Sequence, residues 1–279
     1  MTAPVILTAL YVPADRPDRI AKALASGADL VIVDLEDAVA PTHKEAARNG
    51  LAEALARPAR PAVQVRVNAR SSAWHREDLA AVAALPGPIS VRLPKVESAD
   101  EPRAVADAVP GRAVHALIES GLGVERAFEI ASAGAATLAL GEADLRSQLG
   151  LPAGLAGEPG LLWIRSRIVV AAAAAGLPAP LMSVYADVAD EAGLAASCAA
   201  GRTLGFLGRT AIHPRQLPVI EAAFAPTAEE IGRAEQIIAR VGSAATEGVG
   251  TVVLEDGTFL DAAMLAGARR TLALAARRV

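Results

Sequence analysis

The sequence predicts an α/β fold, a modified (β/α)8 TIM barrel with a C-terminal helical and hairpin lid. Three observations predict it. Short apolar runs alternate with amphipathic stretches about eight times in roughly 220 residues, the rhythm of a parallel barrel. The runs are near-continuous in Val, Ile, Leu and Ala, which marks strands buried on both faces. Several runs also end in charge: VIVDLEDAV (31–39) carries Asp34, Glu36 and Asp37, VQVRVN carries Arg66 and Asn68, VHALIES carries Glu119, and TLALGEADL carries Glu142 and Asp144. Parallel strands that end this way share one destination, an active site at one rim. A doubly wound open sheet is the competing architecture; strand count and length favour the barrel.

The elements follow in order. PVILTALYVP (4–13) reads as the first strand, and Pro17 opens a helix with Asp15 near its N-cap and Gly27 as its stop. Strand two is 29–36. Helix two runs from Thr42 to Arg57, with Thr42 and Glu45 at capping-box spacing. Strands at 62–68 and 88–95 flank a helix at 74–84, and Ser98 is the expected cap of the next helix. Strand five is 113–120, GVERAFEIASAG is helical, and strand six is 136–145. A Gly- and Pro-rich loop from Gln148 to Pro159 precedes a long helix at 160–175. Strand seven (179–185), a helix (190–205) and strand eight (205–214) complete the barrel. Residues 1–225 are thus expected as the catalytic barrel and 226–279 as a lid segment: a charged amphipathic helix at 227–240, a hairpin with a DG turn, and a closing helix from Ala262 to Arg277. The tail is too small to be an independent domain.

Composition narrows the function. The chain has 279 residues, 53% hydrophobic and only 3% aromatic, so the core is built from aliphatic residues. Net charge is −4 with scattered basic residues, which argues against a nucleic-acid surface. No basic segment followed by an apolar run opens the sequence, and no run approaches the ~20 apolar residues of a membrane span. The expectation is a soluble, cytoplasmic protein that engages neither membrane nor nucleic acid. The single cysteine, Cys198, excludes a disulfide within the chain and reads as a small buried helix residue.

Glu119 and Asp144, at the ends of adjacent strands, make an oxygen-rich pair suited to Mg²⁺; the same residues could instead cap the helices that follow. The four histidines, His43, His75, His115 and His213, lack zinc-site spacing. Arg66 sits between two valines, so it needs a partner: Asp34 or Glu36 in a structural pair, or an anionic substrate oxygen. Lys95 at a barrel rim raises Schiff-base chemistry, but the nearby carboxylates argue for a charged, paired lysine. PADRP (13–17) with Arg16, Arg19 and Lys22 reads either as a phosphate site at a helix start or as a solvated face. No dinucleotide fingerprint, P-loop or G-x-S-x-G is present.

The stretches LYVPADRPDRIAKAL, ADLVIVDLEDAV, VRVN, LPKVES, ALIESGLGV, GEADL and GFLGRTAIHPRQ, followed by DGTFLD, stand in this order over nearly the whole chain. Together they resemble the citrate lyase β-subunit family of the HpcH/HpaI aldolase superfamily, which includes malyl-CoA, citramalyl-CoA and 3-hydroxyacyl-CoA lyases. The resemblance implies a class II, metal-dependent oxo-acid lyase acting on an acyl-CoA by retro-Claisen cleavage, assembled as a trimer or hexamer. It implies Mg²⁺ held by Glu119 and Asp144, with Glu36 and Asp37 behind them and Arg66 on the substrate. Tyr11, Arg16 and Lys22 would line the CoA path, and Asp261 would reach a neighbouring subunit's site as acid/base. The sequence departs from the family pattern at Leu7, where arginine is usual, at Arg209 for lysine, and at Phe259 for methionine. An acyl-CoA thioesterase on the same fold is the near rival. A third reading is a subunit that works on an acyl carrier protein within a citrate lyase complex.

Overall fold

The computed structural model describes residues 5–56, 62–246, 251–253, 259–261 and 264–277. They form two compact units, Ile6–Phe224 and a second made of the residues from Ala225 onward together with Val5. In the first, β1 (Thr8–Pro13), β2 (Leu30–Asp34), β3 (Ala62–Arg66), β4 (Ser90–Leu93), β5 (Val114–Ile118), β6 (Thr137–Leu140) and β7 (Arg209–Ala211) form one sheet, in the order β6-β5-β4-β3-β2-β1-β7. Every pairing is parallel. Two isolated parallel bridges, Ala139 to Leu181 and Met182 to Arg209, join the outer strands β6 and β7. The sheet therefore curls round on itself as a TIM-like barrel, as the sequence rhythm predicts. The expected seventh strand, 179–185, shrinks to those bridges because Pro178 and Pro180 remove two ladder donors.

The connecting helices are α1 (Pro17–Leu24), α2 (Lys44–Ala54), α3 (His75–Ala84), α4 (Asp100–Ala108), α5 (Gly121–Glu125), α6 (Ala127–Ala131), α7 (Glu142–Leu149), α8 (Glu158–Ala174), α9 (Glu191–Thr203) and α10 (Gln216–Phe224). Val33 and its neighbours across the sheet, Val65 and Val91, are fully buried, and so is Ile32 on the opposite face, so both faces of the sheet are covered. Ala9, Leu30 and Ile32, with Tyr11 and Leu181 packed against them, form an apolar cluster. Cys198 is buried on α9.

Several local expectations are corrected. Strand six stops at Leu140, and α7 begins at Glu142 with its acidic residues in the first turn and Arg146 in the last, the charge order that suits a helix dipole. Asp144 is thus a helix residue. The three expected caps do not form. A 3₁₀ turn, Pro41–His43, replaces the Thr42 box. Asp15 pairs with His43 at 3.1 Å. At α4 it is Glu101 that reaches back, accepting the N–H groups of Glu97 and Ser98 at 3.0 Å. Helix α10 adds an element after the last strand that the sequence reading does not place; its Pro218 lies in the first turn, where no N–H is needed. Arg57, the expected end of helix two, lies outside the described residues.

The second unit holds α11 (Ala228–Thr246), the antiparallel pair β8 (Thr251–Val253) and β9 (Phe259–Asp261), and α12 (Met264–Ala276). Ala234, Ile237 and Val241 of α11 pack against Ala268 of α12. The DG turn, Asp256–Gly257, lies outside the described residues.

Candidate active site at the strand ends

Asp34, the last residue of β2, organises the rim. Its two oxygens accept the N–H groups of Glu36 at 2.8 Å and Ala38 at 3.1 Å, which folds the acidic loop back over the strand end. The same oxygens receive the Arg66 fork, Nε at 2.8 Å and Nη2 at 2.6 Å. Register sets the two residues side by side on β2 and β3, and both are buried. A charge-assisted, bidentate pair of this kind holds a guanidinium in one orientation. Arg66 Nη1 faces the loop, 2.9 Å from Glu36 Oε2 and 3.5 Å from Asp37 Oδ2. The Tyr11 ring lies 4.9 Å from the guanidinium carbon.

Glu119 follows β5 and is buried. It does not cap α5, whose cap is Ser120; instead its Oε2 accepts the Lys95 N–H at 2.9 Å. The space it occupies depends on Gly141, where a Cβ would overlap the Glu119 Cγ and Oε1. Lys95, one residue beyond Pro94, sends its Nζ to Glu36 Oε1 at 2.8 Å, with Asp37 Oδ1 at 3.6 Å and Asp144 Oδ2 at 3.7 Å. Asp144 stands in the first turn of α7 and is partly exposed. Glu142, expected beside it, turns to Arg165, whose Nε and Nη2 both reach it at 2.7 Å.

Burial pushes the Glu119 carboxyl up to about 7, and the neighbouring Glu36 charge adds to the rise while Arg66 opposes it. Burial also raises Glu36, against the pull of Arg66 and Lys95. Glu36 Oε2 accepts no hydrogen bond despite the nearby Arg66 nitrogen, because the N–H does not point at it. Burial works to lower the Lys95 ammonium, but its pair with Glu36 outweighs this and holds it above the ordinary lysine range. The Tyr11 hydroxyl is raised by burial, against Arg92 and Arg66. The cup therefore carries more negative than positive charge. Among the described residues no three His, Cys, Asp or Glu side chains converge on one point, which leaves Glu119 and Asp144 as a two-carboxylate arrangement.

Arg16, the N-cap residue of α1, and Lys22 within that helix are exposed, and neither is paired with a carboxylate of this cup. Arg16 pairs with Asp18 at 3.1 Å and lines a cavity of about 900 Å³ between α1 and α2, walled by Ala21, Ala25, Ala46 and Gly50 with His43 beside it. Lys22 is outside that lining. Asp261 closes β9, and its side chain lies outside the described residues. One supporting residue escaped the sequence reading. Lys44 is buried and donates to the Leu35 and Glu36 carbonyls, both at 2.8 Å, holding the acidic loop from behind. Its rarity was a signal, since the chain has only three lysines.

With the geometry in place, comparison with known proteins is informative. The HpcH/HpaI aldolase/citrate lyase family model matches residues 7–214. A (3S)-malyl-CoA thioesterase of Cereibacter sphaeroides is 38% identical over 95% of this chain and 93% of its own. Citrate lyase subunit beta of Escherichia coli is 35% identical over 94% and 92%. Among solved structures, the protein CitE of Mycobacterium tuberculosis in complex with magnesium, acetoacetate and coenzyme A superposes with a TM-score of 0.83 at 34% identity, over 98% of both chains. The chain belongs to the HpcH/HpaI aldolase/citrate lyase family.

Proposed function

We propose that this chain is a magnesium-dependent carbon–carbon lyase that cleaves, or in reverse forms, a short β-hydroxyacyl-CoA such as malyl-CoA or citramalyl-CoA. The observation that carries the reading is Arg66, locked on Asp34 by a buried two-point fork beside Glu119. A fixed guanidinium suits charge that develops on a thioester oxygen. The residues present also fit a hard divalent ion. Glu119 and Asp144 offer oxygen donors, Glu119 is buried among like charges, and Glu36 keeps an oxygen without a donor behind them; Mg²⁺ tolerates few protein ligands because it keeps its waters. When bound, it supplies Lewis-acid stabilisation of substrate oxygens.

In the cleavage direction the β-hydroxyl passes its proton to solvent water, its C–O bond becomes the carbonyl of the released product as the Cα–Cβ bond breaks, and the electron pair of the broken bond moves toward the thioester carbonyl. Arg66 meets that charge. Asp261 is proposed to protonate the α-carbon, and to remove that proton in condensation. Tyr11 packs the floor beside Arg66. The cavity between α1 and α2 is proposed for the nucleotide end of CoA, with Arg16 and Lys22 near the phosphates; Arg16 would exchange Asp18 for them. The protein is proposed to act in the cytoplasm as a homo-oligomer, a trimer or hexamer, with residues 226–279 as its lid.

Two further readings have specific support. Hydrolysis of the thioester is favoured by the relatives named malyl-CoA thioesterase, and a carrier-protein substrate by the citrate lyase subunits. A panel of β-hydroxyacyl-CoAs, assayed with Mg²⁺ and with EDTA, separates them. Carbonyl release without free thiol, lost with EDTA and in Glu119→Gln, supports the lyase. Free thiol without released carbonyl overturns it in favour of hydrolysis. No turnover on any CoA ester, with turnover on a carrier-protein ester, points to the complex-bound subunit.

A further inference from the structure

Lys95 carries the one positive φ, +53°, among the described non-glycine residues. That backbone region is unfavourable for a lysine, so a glycine or asparagine would suit the turn better. What the turn achieves is a double aim. It points the Lys95 N–H at Glu119 Oε2, 2.9 Å away, and sends the side chain across the rim to Glu36 Oε1 at 2.8 Å. The ammonium also lies 3.6 Å from Asp37 Oδ1 and 3.7 Å from Asp144 Oδ2. One residue thus touches carboxylates that follow β2, β5 and β6. Arg66 is committed to Asp34 and the β2 loop and Lys44 to the carbonyls behind that loop, so among the described residues Lys95 is the cation that connects the acidic groups across the opening.

We infer that the Lys95 ammonium is a tethered counter-ion of the acidic cup: it holds the carboxylates together while no divalent ion is bound, and competes with that ion when one binds. The inference rests on the proposed metal role of Glu119 and Asp144. An ion held there shares Asp144 with the ammonium, and the two positive charges repel across a short, partly screened distance. The backbone N–H on Glu119 is independent of the side chain, so a neutral replacement removes the competing charge and leaves that alignment in place. Lys95 is on this view a positioning residue whose charge weakens metal affinity and whose loss loosens the metal-free cup.

The test is Mn²⁺ titration, by electron paramagnetic resonance, of the full-length metal-stripped protein and of Lys95→Met, Lys95→Asn and Lys95→Arg; asparagine guards against misfolding at the left-handed position. The neutral variants are expected to bind Mn²⁺ about tenfold more tightly than the wild type, with a lower metal-free Tm that excess Mg²⁺ restores, and Lys95→Arg to stay near wild type. Equal or weaker Mn²⁺ binding by both neutral variants overturns the inference. Glu119→Gln separates the two ideas. Undiminished Mn²⁺ binding in that variant, or none in the wild type, removes the metal assignment and this inference together. Binding lost in Glu119→Gln but not strengthened in Lys95→Met or Lys95→Asn removes the inference alone.

Discussion

Two ionic clusters meet at the start of α7 and differ in one respect. Around Arg165 the charges balance: Arg165 forks onto Glu142, its third nitrogen meets Glu158, and Arg146 meets Glu158 from the other side. Burial acts to raise Glu158, but its two arginines outweigh this and hold the carboxyl below its usual range. In the cup, the carboxylates of Asp34, Glu36, Asp37, Glu119 and Asp144 face Arg66 and Lys95, with Lys44 behind the loop. There Glu119 is pushed up to about 7. A satisfied cluster fixes structure, whereas an acid-rich one stores a demand for positive charge that a ligand can meet. Glu142 and Asp144, two residues apart on α7, fall on opposite sides of this divide.

The largest effect that tests the contrast is expected at Arg66. Arg66→Met leaves the buried Asp34 without its paired cation, which costs about 3–5 kcal/mol of stability, and removes the fixed charge from the reacting site, with kcat/KM down by ~10³. Chemical denaturation and steady-state kinetics measure the two separately. Undiminished kcat/KM in the folded fraction would place Arg66 with the scaffold and erase the distinction. Next comes Glu142→Gln, which strips the buried Arg165 of its fork partner and should cost about 3 kcal/mol or more, while kcat/KM per folded molecule changes by less than about threefold. A loss of activity without a loss of stability would move Glu142 into the cup's function.

The third test uses pH. The folded pKa of Glu119 is raised from 4.5 to about 7, so the metal-free fold binds this proton more tightly than the unfolded chain. Its contribution is fully present below about pH 4.5 and is lost as pH rises through about 7, a span worth roughly 3 kcal/mol. Metal-stripped wild type should therefore lose stability relative to Glu119→Gln as pH rises across that window, and Mg²⁺ should suppress the difference. A pH-independent difference between the two proteins would show that Glu119 is already satisfied within the chain. Glu158 predicts the opposite sign: its folded pKa is depressed, so its contribution is present above 4.5 and fades as pH falls below it.

The sequence discloses the barrel because its strands are buried on both faces and read as apolar runs; Val31 to Val33 and Leu138 to Leu140 need no tertiary information. Boundaries were hidden where a single residue changes the rules. Gly141 lets a strand become a helix within one residue, because Glu119 fills the space a side chain would take, and so Glu142 was assigned to the wrong neighbourhood. Prolines shorten the expected strand 179–185 to the bridges at Leu181 and Met182. Of the candidate residues, the structure gathers Tyr11, Glu36, Asp37, Arg66, Glu119 and Asp144 around one rim. It leaves Arg16 and Lys22 unpaired with these carboxylates. The carboxylates near Lys95 disclose in the sequence that it is a charged, paired lysine; which four it reaches depends on a left-handed turn that no spacing rule predicts.

The smallest expected effect falls on the balanced cluster, and it shows how far balance extends. Glu158 is itself about a third exposed, with 36% of its side chain open to solvent. Water can therefore replace part of what the carboxylate gives to Arg146 and Arg165, and screening weakens each pair. Glu158→Gln also keeps an acceptor oxygen in place. The expected loss is no more than about 1 kcal/mol, with activity unchanged, and it should shrink further at high salt and disappear as pH falls through the native carboxyl's titration. The comparison with Glu142→Gln then rests on burial alone, since both glutamates serve the same arginine. Equal losses for the two variants in urea denaturation would mean that Arg165 needs both partners, and that the cluster is as poorly supplied with opposite charge as the cup.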